Sequence, residues 1–312
     1  MSGPVKTVPE SYTSLDFKEI TISHVPPESP AATPVVVLAL NRPNKYNAVT
    51  GQMLTEIEAA YNLFSQDSRL KAIVLTGTGK AFCAGADLGN GFSGLIAQKK
   101  SEEGLNSFRD QGGRVALAIS NSIQPTIVAI NGPAAGFGLT VTLPATIRVA
   151  WKDAKVAVPF ARRGLTMESC SAFYLPRLIG LSNTLHLTTT GSTFLASDPL
   201  VAGLFSKLLP TPEATISHAI ELAQDIAANT SPVSTKLMRD LIVHGPATPE
   251  AAHILDSRVF ISVVGSQDNV EGMKSFLEKR KPQFNGTLTT KDFPFWPWWG
   301  DSSLKVKALS KL

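Results

Sequence analysis

The sequence predicts an α/β fold. Two observations carry it: short runs rich in β-branched and aliphatic residues recur along the first two thirds of the chain, and stretches with apolar residues at helical spacing separate them. A third observation, the disappearance of such runs after Leu209, sets off a helical C-terminal part. The β-rich runs are PVVVLAL (34–40), KAIVLTG (71–77), PTIVAING (125–132) and ATIRVAW (145–151). Ahead of the first, PPESPAAT is Pro-rich and polar, hence a surface loop. Between the first two, Met53, Leu54, Ile57, Ala60, Tyr61 and Phe64 share one face of a helix over 51–64, which packs on the sheet. Beyond Leu209, TPEATISHAIELAQDIAAN, PEAAHILDSRVFISVVG and NVEGMKSFLEKR read as successive amphipathic helices. KDFPFWPWWGDSS gathers Trp296, Trp298 and Trp299 beside prolines and reads as an irregular tail docked on the body or on a neighbouring subunit. The division expected is a core over 1–210, a helical region over 211–285 and a tail over 286–312.

With 312 residues, 43% hydrophobic and 17% charged, the chain can bury a sizeable core. The opening MSGPVKTVPE lacks the apolar region of a signal peptide, and no run reaches the 18 or more apolar residues of a membrane span, so a soluble protein made without secretion is expected. Cys83 and Cys170 lie far apart without a partner at metal-ligand spacing, and the five histidines are scattered, which supports neither a disulfide framework nor a metal site. The net charge of +4 suits an anionic ligand. The cations are dispersed except for Lys279, Arg280, Lys281 and the tail, and that run ends an amphipathic helix, so nucleic-acid binding is a minor reading.

Two loops carry chemistry. GKAFCAGADLGNG (79–91) follows a strand, and Ala84, Gly85 and Ala86 let backbone approach a ligand closely with amides free to donate. AINGPAAGFGLTVTL (129–143) ends a strand at Asn131, turns at Gly132–Pro133 and opens a helix at about 135–137, where unpaired N–H groups point outward. Two such loops suit an oxyanion hole, although each alone is more simply read as close loop packing. Glu168 is the only acid between Asp153 and Asp198, set in GLTMESCSAF. Its competing reading is an acid in the first turn of a helix capped by Thr166, favoured by the helix dipole.

From LNRPNKYNAVT through AFCAGADL and INGPAAGFGLT to ESCSAFYLPRLIG and EGMKSFLEKRKPQF, about residues 35–285, the chain resembles the crotonase superfamily, the enoyl-CoA hydratase/isomerase family. The resemblance implies a crotonase-like spiral of repeated ββα units with a C-terminal helical trimerisation region, acyl-CoA thioester chemistry, and no cofactor beyond the coenzyme A of the substrate. Matched by motif, the amides of Ala86, after Ala84 and Gly85, and of Phe137, after Gly136, hold the thioester oxygen as an enolate forms. Asp87 holds its loop by accepting backbone N–H groups. Arg42 and Lys45 are candidate cations for the coenzyme A phosphates, with solvated surface as the competing reading. Phe276 and Lys279 lie in the helix that, in related enzymes, approaches a neighbouring subunit's ligand, and a homotrimer or hexamer is implied.

Members of this family differ in the acids placed over the substrate. Hydratases carry two glutamates, at positions that match Thr140 and Phe160 here, and neither of these residues moves a proton at neutral pH. A single glutamate at the position of Glu168 is similar to the delta3,delta2-enoyl-CoA isomerases, in which one carboxylate takes a proton from C2 and returns it to C4. Apolar neighbours Met167, Phe160 and Phe173 would raise its pKa. Cys170 has no histidine in the matching loops to activate it and is expected to be a small buried residue, as is Cys83. The chain ends Ser310-Lys311-Leu312, the tripeptide read by the peroxisomal import receptor, so a peroxisomal matrix enzyme is expected. Hydration, dienoyl isomerisation, and a non-catalytic homologue binding acyl-CoA or RNA are the alternatives.

Overall fold

The computed structural model describes residues 7–87, 89, 96 and 99–299. It divides into two compact units, one over 1–93 and 109–226 and the other over 94–108 and 227–312, counting only the described residues.

In the first unit, β1 (Ile20–His24), β2 (Val35–Leu40), helix α1 (Gly51–Phe64) and β3 (Ala72–Gly77) come first. Helix α1 starts where Thr50 caps the Met53 amide at 3.1 Å, and it buries Met53, Ile57, Ala60, Tyr61 and Phe64 along one face. Its buried Glu56 carboxylate accepts the Lys18 and Glu19 amides at 2.8 and 2.9 Å, which satisfies an acid on an otherwise apolar face. After helix α2 (Glu102–Ser107), which falls in the second unit, α3 (Gln111–Asn121) leads to β4 (Thr126–Ile130), β5 (Ala134–Ala135), the short helix α4 (Phe137–Thr140), β6 (Ile147–Trp151) and β7 (Lys155–Ala157). Helix α5 (Ser171–Thr190), broken at Gly180 (φ 75°, ψ 163°), precedes β8 (Thr193–Leu195), β9 (Lys207–Leu209) and α6 (Pro212–Asn229).

The main sheet has the order β1-β2-β3-β4-β6-β9, with β1 antiparallel to β2 and every other neighbour parallel. Strands β3 and β4 are buried along their whole length, as parallel strands covered on both faces must be. A second sheet, β5-β7-β8, is built from strands of two or three residues. These are too short to show a period of two in the sequence, and β1 and β9 also escape the sequence reading.

The second unit contains α2, α7 (Pro232–His244), α8 (Pro249–Val263), α9 (Gln267–Leu277) and the irregular segment after it. Ser231, Thr248 and Ser266 cap α7, α8 and α9 through their hydroxyls, with proline at the start of the first two. Asp268, buried, accepts from Ser231 Oγ (2.6 Å) and from the Asn285 and Gly286 amides (3.1 and 2.8 Å), so the chain leaving α9 is tied to the start of α7. Phe293 joins Val233, Leu237 and Val259 in a small core, while Trp296 Nε1 donates to Asp240 (2.8 Å) and Trp298 Nε1 to the His244 carbonyl (3.1 Å). Asp240 also takes the Lys236 ammonium at 2.7 Å; burial, with Arg239 beside it, pulls that amine down to about 8 against the pull of Asp240.

The helical region expected from residue 211 opens with α6, which starts at Pro212. Helix α6 buries Thr215, Ala219 and Ala223, spaced four apart, and the first unit continues to Ile226. The aromatic segment is part of the second unit's core rather than a third region. Lys279, expected in the C-terminal helix, stands beyond its end at Leu277 with φ 54°.

Candidate functional site

The site lies in the first unit, where the loops after β3 and β4 are stitched together by backbone. Phe82 N and Cys83 N both donate to Pro133 O at 3.1 Å, Ala135 N donates to Cys83 O at 3.0 Å, and Cys83 forms a parallel bridge with Ala134. Gly136 N continues the pattern to Ala157 O at 3.0 Å, so the first loop, β5, β7 and β8 lie side by side.

Two glycines permit this approach. Gly85 has φ +96°, and a Cβ on it would stand 2.7 Å from Ala135 O; Gly138 faces the Cys83 carbonyl so closely that any side chain would overlap it. Val49 donates to Gly85 O (2.8 Å) and accepts from Asp87 N (2.9 Å). In a parallel bridge of this register the residue between those two, Ala86, turns its own amide to the opposite side. Phe137, first residue of α4, has no intrahelical acceptor for its N–H, and Gly136 before it (φ 54°, ψ −126°) takes a backbone turn suited to glycine. The Phe160 ring lies against Gly136, its Cζ 3.8 Å from where a Cβ would be.

Glu168 sits before α5 rather than in its first turn. The helix opens at Ser171 with Cys170 as N-cap, and Ser169 and Cys170 both hold left-handed φ of 57°. The expectation that Thr166 caps a helix containing Glu168 is therefore corrected: consecutive left-handed residues separate the acid from the helix. Such non-glycine residues cost on the order of 1–3 kcal/mol each and cluster at functional sites. Glu168 Oε1 accepts from Thr140 Oγ1 at 2.7 Å and Oε2 from Ser169 Oγ. Asp110, the N-cap of α3, accepts from Gly113 N and from Ser169 N at 3.3 Å. Gly112 leaves the room, since a Cβ there would overlap Glu168 Oε2. Burial pushes the Glu168 carboxyl above the usual range; the hydroxyls of Ser169 and Thr140 oppose this and the charge of Asp110 adds to it. Met167 and Phe160 pack half-buried against the core.

Arg42 is engaged by protein. Its guanidinium reaches Asp87 (3.0 Å), Glu19 (3.2 Å) and the Ala48 carbonyl. Asp87 also accepts from Gly89 N at 3.1 Å, and Arg42, then Gly89, hold its carboxyl below the usual range. Arg42 and Asp87 thus brace the turn that carries Ala86. Lys45 is exposed in the 3₁₀ turn Pro43–Lys45, and Lys279 belongs to the second unit. The Cys170 thiol is pushed up by burial and by the charges of Asp110 and Glu168, and that of Cys83 up to about 12, which suits packing rather than nucleophilic attack. Ser310, Lys311 and Leu312 lie outside the described residues.

Sequence reasoning missed Asp110, Gly112 and Ser169, and treated Thr140 only as a vacant acid position. An Asp ahead of QGGRVALAI is a legible N-cap signal, but its nearness to Glu168, some sixty residues on, is not local information.

Residues 31–287 match the family described as enoyl-CoA hydratase/isomerase. The chain is 45% identical over 278 residues to the enoyl-CoA hydratase AFT3-1 of Alternaria alternata, which covers 89% of this chain and 90% of that protein. It is 31% identical over 254 residues to the mitochondrial enoyl-CoA hydratase of Pongo abelii, covering 80% and 83% of the two chains. Among solved structures, the enoyl-CoA hydratase from Bacillus anthracis matches with a TM-score of 0.73 at 26% identity, over 86% of this chain and 100% of that one. The sheet order, the two interlocked loops and these matches agree: the chain has the crotonase-like α/β fold and belongs to the enoyl-CoA hydratase/isomerase family.

Proposed function

We propose that the enzyme moves the double bond of a 3-enoyl-CoA to the 2-position, with Glu168 as the proton shuttle. Enzymes of this family need no cofactor beyond the coenzyme A of their thioester substrate. The observation that carries the reading is the acid inventory: of the two carboxylates that meet there, Asp110 is taken up by the Gly113 and Ser169 amides and Glu168 is tied through Thr140 to the short helix whose first residue is Phe137, while positions 140 and 160 hold no acid. Ionised Glu168 takes a proton from C2, and the electrons pass to the thioester oxygen, which the amides of Ala86 and Phe137 receive. The same carboxyl then returns the proton to C4, leaving the double bond between C2 and C3. Burial, by making the carboxylate more basic, favours the first step, and the amides favour it by stabilising the enolate.

Hydration is the second reading, favoured by the printed names of the relatives, which are enoyl-CoA hydratases at up to 45% identity. Incubating the enzyme with 3-enoyl, 2-enoyl and 3,5-dienoyl thioesters and identifying the products separates the readings. Conjugated 2-enoyl thioester from the first substrate, without 3-hydroxyacyl thioester from the second, supports isomerisation; hydroxyacyl thioester as the main product overturns it.

The reading extends to place and assembly. The terminal Ser310-Lys311-Leu312 supports import into the peroxisomal matrix, and a fluorescent fusion of the last dozen residues should be punctate there and dispersed when Leu312 is removed. Exposed Ile242, Ile254, Phe260 and Phe276 on the second unit's helices support self-association as a trimer or hexamer.

A further inference from the structure

Thr140 and Ser169 are fully buried, and a buried hydroxyl must place its single proton. Thr140 Oγ1 has two acceptors in range, the Phe137 carbonyl at 3.4 Å and Glu168 Oε1 at 2.7 Å, and the shorter one takes the proton. Ser169 is turned back on its neighbour by its left-handed backbone, and its hydroxyl donates to Glu168 Oε2. Asp110 holds the Ser169 amide from the other side, and Gly112 keeps a side chain out of the space the carboxylate fills. Each oxygen of Glu168 therefore has its own donor, on two different segments of chain.

We infer that Thr140 and Ser169 are positioning residues for the Glu168 carboxylate, fixing its plane and holding it ionised so that it meets the substrate ready to accept a proton. The inference rests on the reading of Glu168 as the base. Among the described residues, the charged or titratable groups that face Glu168 are Asp110, from the start of α3, and Cys170, from its own turn; Thr140 brings no charge from α4. Asp110 and burial both oppose the ionised form, so the two hydroxyls are what favour it.

The test is the pH dependence of kcat/KM for 3-enoyl-CoA, with the Glu168 carboxyl followed in parallel by carbon-13 NMR. Thr140→Val keeps the shape and removes the donor. Its acid limb and the Glu168 titration should both move up by about one to two pH units, the effect of a hydrogen bond to a charged group. Ser169→Ala should move them in the same direction, and Thr140→Ser should restore the parent profile, which a merely space-filling role would not require. Parent titration of Glu168 in both Thr140→Val and Ser169→Ala overturns the inference; if Ser169→Ala does not fold, parent titration in Thr140→Val alone does so. An inactive Glu168→Gln alongside such unshifted titration condemns the inference alone, whereas near-parent turnover by Glu168→Gln condemns the base reading and the inference with it.

Discussion

The unit that holds Glu168 and the helical unit treat apolar surface differently. In the first, β3 and β4 are buried throughout, and buried polar groups such as Glu56, Asn47 and Asn131 are each hydrogen-bonded to backbone. In the second, Ile242 is 84% exposed, Phe276 81% and Ile254 72%, on three successive helices. Single exposed apolar residues are ordinary on a protein surface; large ones on three consecutive helices are what the proposed self-association would cover. The difference is one of degree, since the first unit also exposes Leu181 (66%) and Leu185 (54%) on α5: its core runs continuously around the strands, while the described residues of the second unit gather a smaller core anchored by the aromatic segment.

The comparison can be broken first at the interlocked loops. Gly85→Ala places a methyl group 2.7 Å from Ala135 O at φ +96°, so the loop must shift and the Ala86 amide with it. Loss of one oxyanion donor costs roughly 10²- to 10³-fold in kcat, which steady-state kinetics would read; parent kcat would mean that the amide is not used. In the second unit the expected loss is of stability. Asp240→Ala leaves the Lys236 ammonium buried without its partner and frees Trp296, and should cost about 3–5 kcal/mol in denaturant unfolding. The smallest effect on the fold is expected from Ile242→Asp, within about 0.5 kcal/mol for a surface change, yet it should lower the solution mass measured by light scattering. An unaltered mass would show that this face is not an interface.

How far the sequence was legible follows the same line. The run over 51–64 is helical to the residue, and the four β-rich runs all contain strands, because long, strongly periodic segments carry their own signal. Strands of two or three residues, such as Ala134–Ala135 and Lys155–Ala157, exist through pairing with distant backbone and carry none. At the site, the two glycine-rich loops and the isolated acid were visible. Their junction at Cys83, Pro133 and Ala135 was not, nor was the cradle around Glu168, because Asp110, Thr140 and Ser169 meet only in the folded chain. Arg42 shows the reverse case: beside a turn it suggests a ligand contact, and the fold uses its charge for Asp87 and Glu19.

The most direct test of Glu168 as the shuttle is Glu168→Gln, assayed for 3-enoyl-CoA isomerisation beside the parent enzyme. Because the folded carboxyl titrates above its unfolded value, its contribution to stability is fullest below the unfolded value and is lost as pH rises through the folded one. At neutral pH the carboxylate therefore costs stability and the amide removes that cost, but its NH2 group faces one of the two hydroxyl donors, so the variant should melt close to the parent. It should also bind a saturated acyl-CoA as the parent does. With those two conditions met, the account predicts an isomerisation rate lower by roughly 10²- to 10⁴-fold; turnover near the parent rate would contradict it.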